Sequence, residues 1–591
     1  MPSLIRRRAV LSAILATTAT LALAGTVAAS STKSAARSDS ISPSKHTLVV
    51  LQDDIAPGLD VDGANASNYG THQVVENTME GLIGYPFKVV NDVMVTNFKV
   101  TAKQFEPRLA TSWSQDGLVW TFNLRKGVKS CAGNEFTADD VVYSFARAKS
   151  VSGASPVSWF LGNVGGVLTL DPLISKDPAA KLLKGEVVKV DKYTVKITQF
   201  VPADQFPRVL EIFALFPYDS KVMKANATTA DPWSHKYGDT VNAPGFGAYC
   251  LKSWTKGSEI VLEANPNYYG GPSTYSKIVE RKVPAGSNRV AAIKGGAADI
   301  AIELTPRDVA DIRAKSADKT KVISWYNNEV LALGLNNKIE PWSLPKNELL
   351  RQAVAYVLPV AEIIKSDYLG DAKPWFGLVQ SSFYGYKAIK TYEKNDVVKA
   401  KALLAQAGFP DGKGLEKYSA GLKFYYVQER SGVLEPVANR IKTALAQIGI
   451  NITLSPITNT EYNDRELTKF DMPMFMRDKV RPFGPDVGYT ALLFYVSQKS
   501  GGLVNAGNYS NAAFDGLFAQ SQKEAGAKRL YSLERMQNIA MRDLPLVPII
   551  ERPSQIAVKK AISCWFGKTS NTFNFWYLRD DGKPCVSPVE K

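Results

Sequence analysis

The chain is poor in the residues that most chemistry needs. Among 591 residues there are four cysteines and three histidines, His46, His72 and His235. No CxxC or Cys/His spacing occurs, so a zinc or histidine-based metal site is not expected. There is no GxSxG elbow, Walker A loop, HExxH or complete GxGxxG, and Gly245-Phe-Gly247 is only a fragment of the last. An enzyme, and any cofactor, is therefore not expected. Beyond the N-terminus no Lys/Arg run exists to read as a nucleic-acid footprint, although 71 basic residues against 56 acidic ones give +15. The 42 Gly and 32 Pro follow no period, and no repeat of 20–50 residues is visible. Collagen-like, low-complexity and solenoid structures are excluded on that ground.

What is present is an ordinary globular composition, 45% hydrophobic with 10% aromatic residues, long enough for several cores. Arg6-Arg7-Arg8, the uncharged stretch Ala9–Ala24 and the small residues Val27-Ala28-Ala29 form the three parts of an export signal over 1–29. The pair Arg7-Arg8 loosely matches a twin-arginine signal. Leu23-Ala24-Gly25 resembles a lipoprotein box, but Thr26 stands where the acylated cysteine belongs. An exported, non-lipidated protein in the periplasm or at the outer face of the cell membrane is expected, with 30–45 as a flexible tether. In an oxidising compartment the even number of cysteines suggests disulfides, with three connectivities open. Cys564 with Cys585 closes a short loop, and that choice leaves Cys131 with Cys250.

Along the mature chain, Thr47–Leu51 and Leu118–Leu124 read as strands, and Val187–Phe200 as a strand pair. Thr137-Ala-Asp-Asp140 opens a helix with a capping-box pattern. Asn347–Leu358, Asp396–Ala407 and Leu434–Ile448 carry apolar residues at helical spacing. Gly449 then ends the last of these before a strand at Ile450–Leu454, which is the αβ half of a parallel-sheet unit. An early half rich in strands thus gives way to an α/β half.

Several segments, in a fixed order, resemble the family 5 extracellular solute-binding proteins. They include Glu76-Asn-Thr-Met-Glu-Gly-Leu82, Pro107-Arg-Leu-Ala-Thr-Ser-Trp113, Leu124-Arg-Lys-Gly127 and Thr137-Ala-Asp-Asp-Val141. Pro244-Gly-Phe-Gly-Ala-Tyr249, Asn265-Pro-Asn-Tyr-Tyr-Gly270 and Arg289–Ala301 continue the order, followed by Gly334-Leu-Asn-Asn337 and Asn508-Tyr-Ser-Asn511. Departures occur at Cys131-Ala132, at Phe246, around Asp478 and at Pro482-Phe-Gly-Pro485.

The resemblance implies an α/β, two-lobed periplasmic-binding-protein fold (class II, large cluster C type) with an inserted third domain in the N-terminal lobe. The first lobe would comprise 46–80, 205–283 and 551–591, the insert 81–204, and the second lobe 284–550. The implied function is the substrate-binding protein of an ABC importer, a monomer that closes around di- or oligopeptides and delivers them to a membrane permease. The same receptor role for an oligosaccharide, an opine-like conjugate or a metal chelate is the alternative, as is a non-transport envelope regulator. Carried over by position, Asp478 would grip the ligand's amine, unless it is an exposed or arginine-paired acid, with Asp486 as fallback. Tyr462 and neighbouring Phe475 would line the cleft, core packing being the other reading for Tyr462. Asn65, Ala66 and Ser67 would edge the cleft or form a plain surface turn. Arg430 and Arg440 are the neighbourhood's candidates for a carboxylate.

Overall fold

The computed structural model describes residues 46–90, 93–150, 185–199, 202, 204–390, 395–478, 482, 484–567 and 572–587. The export signal and tether expected over 1–45 lie outside them.

Two mixed sheets organise the molecule. The first has seven strands in the order Tyr249–Thr255, Glu259–Ala264, Lys277–Lys282, Thr47–Gln52, Ile300–Ala301, Ser554–Lys559 and Thr320–Trp325. Thr47–Gln52, the run read as a strand from its apolar residues, sits at the centre, parallel to both neighbours and buried from Leu48 on. The second sheet has six strands: Lys373–Pro374, Leu546–Glu551, Val330–Leu335, Met474–Arg477, Lys423–Val427 and Thr453–Ile457. Its Val330–Leu335 strand is buried at every residue, which accounts for its near-continuous apolar sequence.

Among the described residues the chain passes between the sheets twice, through residues 326–329 and 552–553. The first crossing corrects the expected boundary at 283–284. The helices Gly286–Lys294 and Pro306–Lys315 and the strand Thr320–Trp325 still belong with the first sheet, because Thr320–Trp325 pairs antiparallel with Ser554–Lys559. The return likewise falls two residues beyond the expected 550–551, since Glu551 still pairs with Val330.

Residues 81–204 supply a four-stranded sheet, Ala110–Asp116, Val119–Leu124, Thr194–Thr198 and Val187–Asp191 in that order. The helix Ala138–Ser150 packs on one face. Its start follows the sequence pattern: the Asp140 carboxylate accepts from the Thr137 amide at 2.8 Å. Trp120, Phe122 and Leu124 alternate inward, but Leu118 lies in the preceding turn and is exposed. This region is not self-contained. Val93–Thr96 pairs with Trp565–Phe566 near the C-terminus. Disulfides join Cys131 to Cys250 and Cys564 to Cys585.

Two glycines are required by close packing. A Cβ on Gly247 would stand 2.5 Å from the Asn77 carbonyl oxygen, so the Gly245-Phe-Gly247 fragment serves close approach to the end of the helix Tyr69–Thr78. In the second sheet a Cβ on Gly334 would meet the Phe475 ring at 2.1 Å. The strand expected at Ile450–Leu454 begins three residues later, at Thr453, because Ile450 and Ile452 are spent filling the core before the chain reaches its register with Lys423–Val427.

Candidate functional site between the sheets

Both crossings are short and polar. Asn327, Asn328 and Glu329 separate two apolar strands, and Arg552-Pro553 separates the other two. The crossings are tied to each other. The Arg552 amide donates to the Glu329 carbonyl at 3.2 Å, and the Arg552 guanidinium pairs with the Glu329 carboxylate at 2.5 Å. Burial works against the Arg552 charge, but Glu329 overrides it and holds the guanidinium firmly protonated.

A small hollow, partly open to solvent, lies at this junction. The first-sheet side contributes Tyr69, Glu303 and Trp325, and the second-sheet side Tyr368 and Asp371; Glu329 and Arg552 reach it from the crossings. Acidic and aromatic groups converge there with one arginine, the make-up of a site for a polar ligand rather than an apolar one.

The junction also collects buried polar atoms with no hydrogen-bond partner: Trp325 Nε1, Asn328 Oδ1, Gln380 Oε1, Arg552 Nε and both carboxylate oxygens of Asp478. These side chains are otherwise well held. Gln380 donates to the Asn328 carbonyl at 2.7 Å, and Asn328 donates to the Pro482 carbonyl at 3.2 Å. Leaving such atoms unmade costs about 1–3 kcal/mol each, so their concentration at one place points to groups that a ligand or water satisfies.

Of the residues carried over from the sequence, Asp478 comes nearest to this site. It ends the strand Met474–Arg477, is 3% exposed, and its backbone carbonyl accepts from Arg552 at 3.4 Å. Its carboxylate forms an ion pair with Arg430, without hydrogen-bond geometry, so it is both buried and arginine-paired. Phe475 is fully buried over Gly334. Tyr462 is 1% exposed and donates to the Met476 carbonyl at 2.7 Å, pinning its helix to the same strand. Both are packing residues here and neither lines the hollow. Asp486 caps the helix Val487–Phe494 and takes both terminal nitrogens of Arg529, at 2.7 and 2.9 Å. Burial opposes its charge, yet Arg529 prevails and keeps the carboxyl below the usual range. Arg440 grips Asp367 through two bonds on the outer face of Ser431–Ala446. Asn65 donates to Asp239 at 2.9 Å in a 3-10 turn; the side chain of Ser67, in the same turn, lies outside the described residues.

Trp325, Asn328, Glu329, Gln380 and Arg552 escaped the sequence reading. The available signal was the polar break within each apolar strand pair, which marks where a chain leaves one sheet for another. One grouping among the described residues has spacing for a metal, Asp60, Asp62 and His235. It already holds a cation: Arg147 bonds both Asp60 oxygens, at 2.7 and 2.9 Å, and also contacts Asp62. No helix among the described residues is long and apolar enough to cross a membrane.

Two α/β lobes joined by paired crossings, with a polar hollow where they meet, define a hinged binding protein. The family model for bacterial extracellular solute-binding proteins, family 5 Middle, matches residues 104–501, and the chain belongs to that family. It is 25% identical to a probable D,D-dipeptide-binding periplasmic protein, DdpA, of Escherichia coli K12 over 463 residues, covering 77% of this chain and 81% of the other. It is also 25% identical to the periplasmic oligopeptide-binding protein OppA of the same organism over 486 residues, with 78% and 82% covered. Among solved structures, a periplasmic binding protein DppA from Helicobacter pylori in complex with the peptide STSA superposes with a TM-score of 0.69 at 22% identity, covering 90% of this chain and 97% of that one. This last likeness establishes the fold.

Proposed function

We propose that the chain is the substrate-binding receptor of an ABC importer, capturing di- or oligopeptides between its lobes and passing them to a membrane permease. The family and the names of its relatives support the receptor role and the peptide class. The observation that carries the reading for this chain is the group of buried polar atoms without hydrogen-bond partners at the lobe junction, on Trp325, Asn328, Gln380 and Arg552, beside the Arg430-paired Asp478. A peptide backbone offers the complement: its N–H groups meet the acceptors Asn328, Gln380 and Asp478, and its carbonyls meet Trp325 and Arg552. Asp478 is the proposed partner for the ligand's amine, which would share the carboxylate with Arg430. Closing the lobes over such a ligand removes it from water, so binding energy shifts an open–closed equilibrium.

The test is mass spectrometry of whatever the purified, exported protein releases on denaturation. Short peptides are the expected result. A single sugar, opine-like or chelate mass would replace the ligand and keep the receptor.

A further inference from the structure

Away from the hollow, the two lobes touch through a second polar cluster. Asp204 and Gln205 precede the short helix Phe206–Leu210, which is fixed to the first-lobe side. The Phe206 ring packs 5.6 Å from Trp120, and Arg208 donates to the Val100 carbonyl. Facing them from the second lobe are Tyr384, Asp486, Gln522 and the start of the 18-residue helix Gly526–Asp543.

Asp204 crosses the gap with both oxygens. One accepts from Arg529 Nη1 at 3.1 Å; the other accepts from the Tyr384 hydroxyl at 3.1 Å and the Gly526 amide at 3.3 Å. Beside it, Gln205 donates to Gln522 at 2.7 Å and accepts from Arg529 at 3.1 Å. The Arg208 guanidinium lies 3.7 Å from the centre of the Tyr384 ring. A carboxylate of one lobe therefore sits at the positive N-terminal end of a long helix of the other.

We propose that Asp204 is a cross-cleft latch that holds the lobes closed independently of ligand. Both partners have a state to return to when the cleft opens. The Asp204 side chain is already 23% exposed and rehydrates readily. Arg529, fully buried, keeps its two bonds to Asp486 within its own lobe. The contact is thus reversible, neither partner being stranded without its counter-charge. Neither Asp204 nor Arg529 lines the hollow, so the latch acts on closure from outside it and sets how much of the binding energy is spent on closing.

The test uses the ligand-stripped full-length mature protein. Small-angle scattering gives its open-to-closed ratio, and hydrogen exchange is followed over residues 524–530. Asp204→Asn keeps the shape and removes the charge. The latch predicts a shift toward the open form of at least about fivefold, faster exchange at 524–530, and an unchanged melting temperature. An unaltered ratio and exchange pattern would overturn it. If the variant does not fold, the wild type decides alone: the Gly526 amide must exchange slowly without ligand, and exchange at the rate of a free amide would refute the latch.

Discussion

At the scale of single residues, the least expected group is Glu280. It lies in the first sheet, fully buried, with a single bond from Gln52 at 2.9 Å. Burial pushes its carboxyl up to about 8, the Gln52 bond only partly opposing this. The folded protein therefore keeps a proton that the unfolded chain gives up near pH 4.5. Stability from this group is complete below that pH and drains away as pH rises toward 8. Glu280→Gln should remove that slope and stabilise the protein at pH 7 by roughly 2 kcal/mol. Urea unfolding at pH 5, 7 and 8 checks it, and equal slopes for the two proteins would contradict it. Asp478 carries the functional prediction at this scale. Asp478→Asn keeps the shape beside Arg430 and removes the charge offered to an amine. Affinity for a peptide ligand should fall by about 2 kcal/mol, near 30-fold, as read by calorimetry. Undiminished affinity would take the amine away from Asp478.

At the scale of elements, the sequence was readable where burial is one-sided. Ala138–Ser150 has its cap where Thr137 and Asp140 announce it, and Ser431–Ala446 buries Leu434, Val437, Ile441 and Leu445 along one stripe. Periodicity failed where apolar residues serve the core outside a regular element, as Ile450 and Ile452 do, or where they face water, as Val188 and Val190 do on an exposed sheet face. It was also silent about which strands share a sheet. The boundary placed near Val283 erred for that reason: nothing local in Thr320–Trp325 says that its partner is Ser554–Lys559, more than 200 residues away. Tyr462 and Phe475 show the complementary limit. Their type and position fit a cleft lining, but the Met476 carbonyl and Gly334 claim them for packing. Gly334 gives this scale its prediction. A methyl group there collides with the Phe475 ring inside a strand buried on both faces. Gly334→Ala should cost about 1–3 kcal/mol of stability, and adding Phe475→Leu should restore part of it. Denaturant midpoints of the single and double variants decide. A neutral single variant would mean that the ring moves freely.

At the scale of the whole molecule, function rests on two crossings and what lies between them. Residues 326–329 and 552–553 are the sole direct strand-to-strand passages between the two main sheets among the described residues. They carry the Glu329–Arg552 pair and border the hollow. A hinge built this way couples ligand contact to lobe position, because the groups that would meet the ligand are the groups on which the lobes turn. The most direct measurement is small-angle scattering of the ligand-stripped protein titrated with a defined mixture of di- to pentapeptides, with calorimetry on the same samples. The account predicts saturable heat and, over the same concentration range, a fall in radius of gyration as the lobes close. Binding without compaction, or no binding by any peptide in the mixture, would contradict it.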